Sequence, residues 1–234
     1  MNRSVPSQAI PFDVGSYTAA EVARLLHTPV RNIHRWMSGY EHGPQDKRRF
    51  SPPLWTSQLA MIDDQLEIGF RDLIELRFVK AFVGAGVGLL AVRNYLERAR
   101  EYVQDERPFS TQRFRTDGRS IFLETFEGSS EPKLLDLKSR QYVFKQVFER
   151  SFKDLDLEDD AVARWRPFKG KRSIVIDPTR SFGQPVAANY GVPTIVLSDA
   201  VKAEGSVARA ARLFEVPAAV VRDAVQFEES LLAA

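Results

Sequence analysis

Tyr17-Thr18-Ala19-Ala20-Glu21-Val22-Ala23-Arg24-Leu25-Leu26-His27-Thr28-Pro29-Val30-Arg31-Asn32-Ile33-His34-Arg35-Trp36-Met37 decides the fold, because it carries the punctuation of two helices joined by a tight turn. Thr18 and Glu21 make a Thr-x-x-Glu capping box, in which each side chain satisfies a backbone donor that the helix start leaves open. Val22, Leu25 and Leu26 then fall at helical spacing and predict one buried stripe. The pattern breaks at His27-Thr28. Pro29 stands where a second helix would have its first residue, with Thr28 as its cap. Val30, Ile33 and Met37 repeat at helical spacing, which turns Arg31, Asn32, His34 and Arg35 outward. Arg31 and Arg35 are four apart and share a face. Guanidinium and amide groups on a short helix after a tight turn suit a DNA major groove, where they pair with base edges. The same pattern also fits an ordinary helical hairpin with solvated charges.

The chain's 234 residues leave room for one large domain or two modest ones. No apolar run approaches ~18 residues, so no transmembrane helix is expected. Met1–Asp13 lacks an apolar core behind a basic start, unlike a secretory signal. There are no cysteines, which excludes disulfides and thiolate metal sites and fits a cytoplasmic location. His27, His34 and His42 show no ligand spacing, so no metal or cofactor is expected. No nucleophile–base grouping can be assembled from the spacing either, and the chain reads as no enzyme. Gly84-x-Gly86-x-Gly88 follows a helical pattern and lacks a Lys-Ser/Thr partner, so it reads as a turn.

Formal net charge is only +2, so a nucleic-acid reading rests on clustering. From Arg24 to Phe50 the bases are Arg24, Arg31, Arg35, Lys47, Arg48 and Arg49, against Glu41 and Asp46. Gly39, Gly43 and Pro44 before Lys47-Arg48-Arg49-Phe50, and Ser51-Pro52-Pro53 after it, predict a hairpin wing with a basic segment. Such a wing meets phosphates and adds affinity more than sequence choice. A solvated basic loop is the plainer alternative.

After a loose lead-in over Met1–Gly15 and this helix-turn-helix and wing, Leu66–Phe82 reads as a helix stopped by Gly84-Ala85-Gly86. A second helix runs from about Val87 to Val103, with Arg93, Arg98 and Arg100 among Glu97 and Glu101 on a solvated face. The order resembles the DNA-binding domain of MerR-type regulators, through Tyr17–Leu26, the wing near Lys47–Phe50, and Gly86–Leu96. The chain departs from that family at Pro108, which cuts off the long helix through which MerR-type regulators dimerise.

Phe109–Phe126 reads as a β-hairpin turning at Asp117-Gly118, and Gly128–Pro132 as a linker. Tyr142, Val143, Val147, Phe148 and Phe152 fit a helix within Leu134–Phe152. The acids of Glu149–Asp160 read as a solvated connection before the basic Lys169-Gly170-Lys171-Arg172. Ser173–Ile176 reads as a short buried strand ended by Asp177-Pro178, and turns follow at Gly183-Gln184-Pro185 and Gly191-Val192-Pro193. Three helices close the chain over Thr194–Ala203, Ser206–Phe214 and Pro217–Leu231, the last with Ala218, Ala219, Arg222 and Asp223 outward. This tail resembles a small antitoxin-associated family, through Ile176, Asp177, Pro178, Gly183, Pro185, Pro193, Val207, Ala210, Val216, Val220 and Val221. Many of its members place Thr-Arg before the last proline turn, where this chain has Gly191-Val192.

The fold class expected is mostly α with small β elements (α+β). It comprises a winged helix-turn-helix over 16–105, a β-hairpin and connecting region over 106–169, and a trihelical unit over 170–234. The resemblances together imply a VapB-type antitoxin that binds operator DNA as a homodimer, represses its own operon and neutralises a PIN-like ribonuclease toxin, with no membrane association. Thr28, Arg31, Asn32, His34, Arg35, Lys47, Arg48 and Arg49 are the expected DNA contacts. Arg172 and Arg180 are candidates for the toxin's carboxylates, with which a guanidinium pairs well. The alternatives are a free-standing MerR-type regulator sensing a small molecule near Tyr142, Trp165 or Phe168, and a structural adaptor.

Overall fold

Thr18 opens the first helix as its sequence dictates: its backbone N–H donates to Glu21 Oε2 at 2.8 Å, and Glu21 N–H donates to Thr18 Oγ1 at 3.3 Å. The computed structural model describes residues 13–127, 137–168 and 170–232. Most of the lead-in and the linker at Gly128–Pro132 lie outside these residues. A two-residue strand β1 (Tyr17–Thr18) leads into α1 (Ala19–Leu25), and α2 (Val30–Ser38) follows the turn. Then come the antiparallel hairpin β2 (Tyr40–His42) and β3 (Arg49–Ser51), strand β4 (Glu67–Ile68), α3 (Phe70–Gly84) and α4 (Leu89–Val103). A 3-10 turn at Pro108–Ser110 precedes α5 (Gln112–Glu127) and α6 (Leu137–Phe152). The chain closes with β5 (Leu155–Glu158), β6 (Ala161–Trp165), β7 (Ile174–Ile176), β8 (Pro185–Ala187), α7 (Thr194–Glu204), α8 (Val207–Leu213) and α9 (Ala218–Leu232). Helices dominate and every sheet is small and antiparallel, the α+β class expected.

Several elements differ from the sequence expectation, each for a physical reason. α2 begins at Val30 with Pro29 as its cap, and Thr28 instead accepts from Asn32 Nδ2 at 3.4 Å. The helix expected from Leu66 starts at Phe70, because Glu67 and Ile68 pair with Thr18 and Tyr17 as strand. The hairpin expected at Phe109–Phe126 is absent, and α5 occupies that stretch. Gly118 serves packing there: a Cβ on it would stand 2.6 Å from Phe148, and its carbonyl accepts from Tyr95 Oη at 2.8 Å. Glycine in a helix costs about 1 kcal/mol against alanine, and here it admits two aromatic side chains. The acidic connection is partly a hairpin, β5–β6. Asp159 and Asp160 adopt the left-handed conformation (φ 47° and 63°) that a two-residue turn needs.

The core joins the front of the chain to its back. Phe78, Phe82, Tyr95, Phe109, Phe114, Phe122, Phe144, Phe148 and Phe152 interlock across α3, α4, the 3-10 turn, α5 and α6, many edge to face. The same buried cluster takes in Tyr17, Val22 and Ile33 on one side and Ile174, Ile176 and Phe227 on the other. Strands β5 to β8 form one sheet in chain order, so residues on both sides of Gly170 share it. A second cluster, around Leu197, Ala210, Val221 and Ala224, holds α7, α8 and α9 together. On the buried face of α3, the Glu75 carboxyl accepts from the backbone N–H groups of Phe109 (3.2 Å) and Ser110 (2.8 Å). Burial pushes that carboxyl up to about 8.

The α1–α2 corner is built a second time at α8–α9. Thr28 N–H donates to Ala23 O at 3.0 Å, and Val216 N–H donates to Ala211 O at 3.0 Å. His27 (φ 46°) and Glu215 (φ 55°) make the same left-handed step, and Pro29 and Pro217 follow two residues later. Thr18 corresponds to Ser206, Arg24 to Arg212, Leu25 to Leu213, Arg31 to Ala219 and Arg35 to Asp223. Both cap residues accept from the backbone N–H three positions on.

Candidate nucleic-acid interface

On α2, Ile33, Trp36 and Met37 are buried, while Arg31, His34 and Arg35 are exposed and Asn32 is half-buried. Val30, expected inside, is 45% exposed. Arg31 makes no ion pair among the described residues. Asn32 is partly committed to Thr28, as above. Arg35 rests against the hairpin, its guanidinium carbon 3.8 Å from the centre of the Tyr40 ring. That cation–π contact contributes about 0.5–1 kcal/mol at an exposed site. The guanidinium beside its phenol also holds Tyr40 below the ordinary tyrosine range. Tyr40 in turn packs on His42, with ring centres 5.4 Å apart.

The hairpin tip carries Lys47 and Arg48, and Arg49 begins β3; all three are exposed. Arg48 reaches Glu41 Oε2 at 2.9 Å across the hairpin. Such an exposed pair contributes about 0–1 kcal/mol and leaves Arg48 available to a phosphate. Phe50 is 62% exposed. Its ring closes over Gly39, where φ is +77° and a Cβ would stand 2.7 Å from Phe50 and 2.5 Å from Ser51 O. Only glycine turns the chain from α2 into β2 at that separation.

Three arginines hold the return from the hairpin. Arg93 donates to Pro52 O (2.7 Å) and Pro53 O (3.0 Å), Arg100 to Leu54 O (2.9 Å), and Arg107 to Thr56 O (2.9 Å). Arg93 and Arg100 therefore anchor the hairpin rather than facing solvent, which corrects the expectation for α4; Arg98, paired with Glu101 at 3.0 Å, does lie exposed. Arg107 is tied to the fully buried Asp72 at 2.6 Å, and Asp72 also accepts from Trp55 Nε1 (2.9 Å) and Gln58 N–H (2.6 Å). Neither Tyr40 nor the three arginines were candidates from the sequence. Arg93 and Arg100 sit seven apart on one helix face, but their acceptors are backbone carbonyls that carry no sequence signal. Asp72 did carry one, at the third position of a helix that starts after glycine.

At the other end of the chain, Arg172 is exposed and precedes β7, while Arg180 follows it. Arg180 donates to Ala188 O at 2.8 Å and lies against Gly191, so part of its donor set shapes its own loop. Ser181, Phe182 and Gly183 are all left-handed there (φ 47°, 54° and 82°). This loop meets the front of the chain: Tyr17 Oη donates to Gly183 O at 2.8 Å, and Ser16 N–H to Phe182 O at 3.1 Å. Asp223, expected outward on α9, instead accepts from Lys171 Nζ (2.6 Å) and Ser173 Oγ (2.7 Å). Among the described residues no group of His, Asp and Glu is placed to hold a metal ion, and no helix is long and apolar enough to cross a membrane.

No protein-family model matches the chain. It is similar to the Mycobacterium tuberculosis protein named "Putative antitoxin VapB45", at 30% identity over 192 residues, which span 77% of this chain and 80% of that one. It is also similar to the crystal structure of Rv2018 from Mycobacterium tuberculosis, with a TM-score of 0.72 and 25% identity, covering 93% of this chain and 98% of that one. Resemblance at that identity across most of both sequences places the protein in the family of VapB-type antitoxins.

Proposed function

We propose that the chain is a DNA-binding antitoxin, which represses its own operon as a homodimer on a two-fold operator and neutralises a PIN-like ribonuclease toxin. One observation carries the DNA half. The outward residues of α2 and the basic tip of the β2–β3 hairpin belong to consecutive elements, joined at Gly39 and held from behind by Arg93, Arg100 and Arg107. A reading helix with a phosphate-contacting wing is the arrangement that winged helix-turn-helix proteins use. Arg31, Asn32 and His34 face the groove, Thr28 stands at its edge, and Lys47, Arg48 and Arg49 run along the backbone. Kinship with an antitoxin supports the toxin partner, and Arg172, exposed ahead of β7, and Arg180 are the candidates for its carboxylates.

Fluorescence anisotropy with the duplex upstream of its own gene, over a salt series, tests the DNA half. Replacing Lys47, Arg48 and Arg49 by alanine should weaken binding to all sequences alike. It should also flatten the slope of log affinity against log salt by about 0.9 for each phosphate that is no longer neutralised. A slope that does not change removes the hairpin from the interface. For the toxin half, Arg172→Glu should lower recovery of the complex from co-expression with the neighbouring toxin gene. Unaltered recovery moves the neutralising surface elsewhere.

A further inference from the structure

We infer that Arg35 is a positioning residue that fixes the β2–β3 hairpin against α2, and that base readout is left to Arg31 and His34. This inference rests on the DNA-binding reading of the same surface. A guanidinium that reads a base must present its donor edge to the groove. The Arg35 guanidinium is instead held on Tyr40, its carbon 3.8 Å from the ring centre and its side chain engaging the phenol oxygen, and Tyr40 belongs to the first strand of the hairpin. The contact therefore joins the two parts of the interface whose relative placement decides whether helix and wing can engage one duplex together.

The second helix-turn-helix corner gives independent support. Asp223 stands there at the position of Arg35, and it too is spent on a neighbouring strand, accepting from Ser173 Oγ at 2.7 Å just before β7 and from Lys171 Nζ at 2.6 Å. The two residues carry opposite charges, yet both fasten the second helix of the corner to the β element beside it. The position of Arg31 is filled by the exposed Ala219, and that of His34 by the exposed Arg222. The anchoring position keeps its duty in both copies, while the outward positions vary.

Anisotropy on the full chain, with the duplex upstream of its own gene and a shuffled duplex of equal composition, reads the roles apart. Arg35→Ala and Tyr40→Ala should each weaken both duplexes by about three- to fivefold and leave the preference between them unchanged. Tyr40→Ala should add nothing on an Arg35→Ala background, and Tyr40→Phe, which keeps the ring and loses the phenol oxygen, should fall between the unmodified chain and Tyr40→Ala. Arg31→Ala should cut the preference by about tenfold or more. The inference is overturned if Arg35→Ala erodes the preference, or if the Arg35 and Tyr40 effects multiply. Should the unmodified chain bind neither duplex, the DNA-binding reading fails. The strut is then decided by NMR titration of tyrosine-labelled protein. Arg35→Ala should raise the pH at which the Tyr40 ring titrates, and an unmoved titration overturns the strut.

Discussion

Leu25 and Leu213 stand at matching places in two helix-turn-helix corners, and one is buried at 7% exposure while the other is 63% exposed. The corners share a capping residue, a left-handed turn residue, a proline two positions later and the same backbone hydrogen bonds. They part company in what surrounds them. The first is backed by the large core and by a carboxylate network, and it offers Arg31 and His34 to solvent. The second relies on a small cluster of alanine, valine and leucine, and it offers Ala219 and Arg222. The turn is a backbone solution available to any short helix pair. Under the proposed function, what distinguishes the first copy is the side chains on its second helix and the support behind its hairpin.

The sharpest division between the copies is expected at their supporting carboxylates. Asp72 is fully buried and takes donors from Trp55, Gln58 and Arg107, so Asp72→Ala leaves the Arg107 guanidinium without its counter-ion and an indole N–H unpaired, and should cost about 3–5 kcal/mol. Asp223 is partly exposed, and Asp223→Ala should cost about 1 kcal/mol or less. Urea denaturation measures both, and equal costs would erase the contrast. Next come the leucines: Leu25→Ala should cost about 2–4 kcal/mol and Leu213→Ala within about 0.5 kcal/mol of nothing. A large loss at Leu213 would mean that the full-length protein in solution covers it. The smallest effect concerns what the copies share. Glycine relieves the left-handed strain at no steric cost, so His27→Gly and Glu215→Gly should each stabilise by about 0.5–1 kcal/mol. Opposite signs would show that the two turns are not equivalent.

How far the sequence reveals this architecture depends on the range of the interactions involved. The Thr18–Glu21 capping box, the glycine punctuation of the hairpin and the Ser206 cap are local, and each could be read from a few neighbouring residues. Asp117-Gly118 misleads because glycine serves a turn and a crowded helix contact equally well, and the deciding partner, Phe148, lies thirty residues away. Asp159-Asp160 misleads in the other direction: two acids in a charged run look solvated, yet they turn a hairpin whose neighbouring Asp156 is paired with Arg166 at 2.7 Å. Arg35 looks like a reader because helical periodicity faces it outward. Its engagement with Tyr40 depends on how the chain doubles back at Gly39, which no spacing rule encodes.

The hydroxyl of Tyr17, seated on the carbonyl of Gly183, carries a practical consequence. A shortened gene that stops before Ile174 would strip that hydroxyl of its acceptor and β6 of its neighbouring strand, and it would remove Phe227 from the shared core. The remaining front would present bare apolar surface and a phenol with no mate, and its failure to hold DNA would not test the proposed DNA-binding role. The two ends of this molecule can be questioned separately only one side chain at a time.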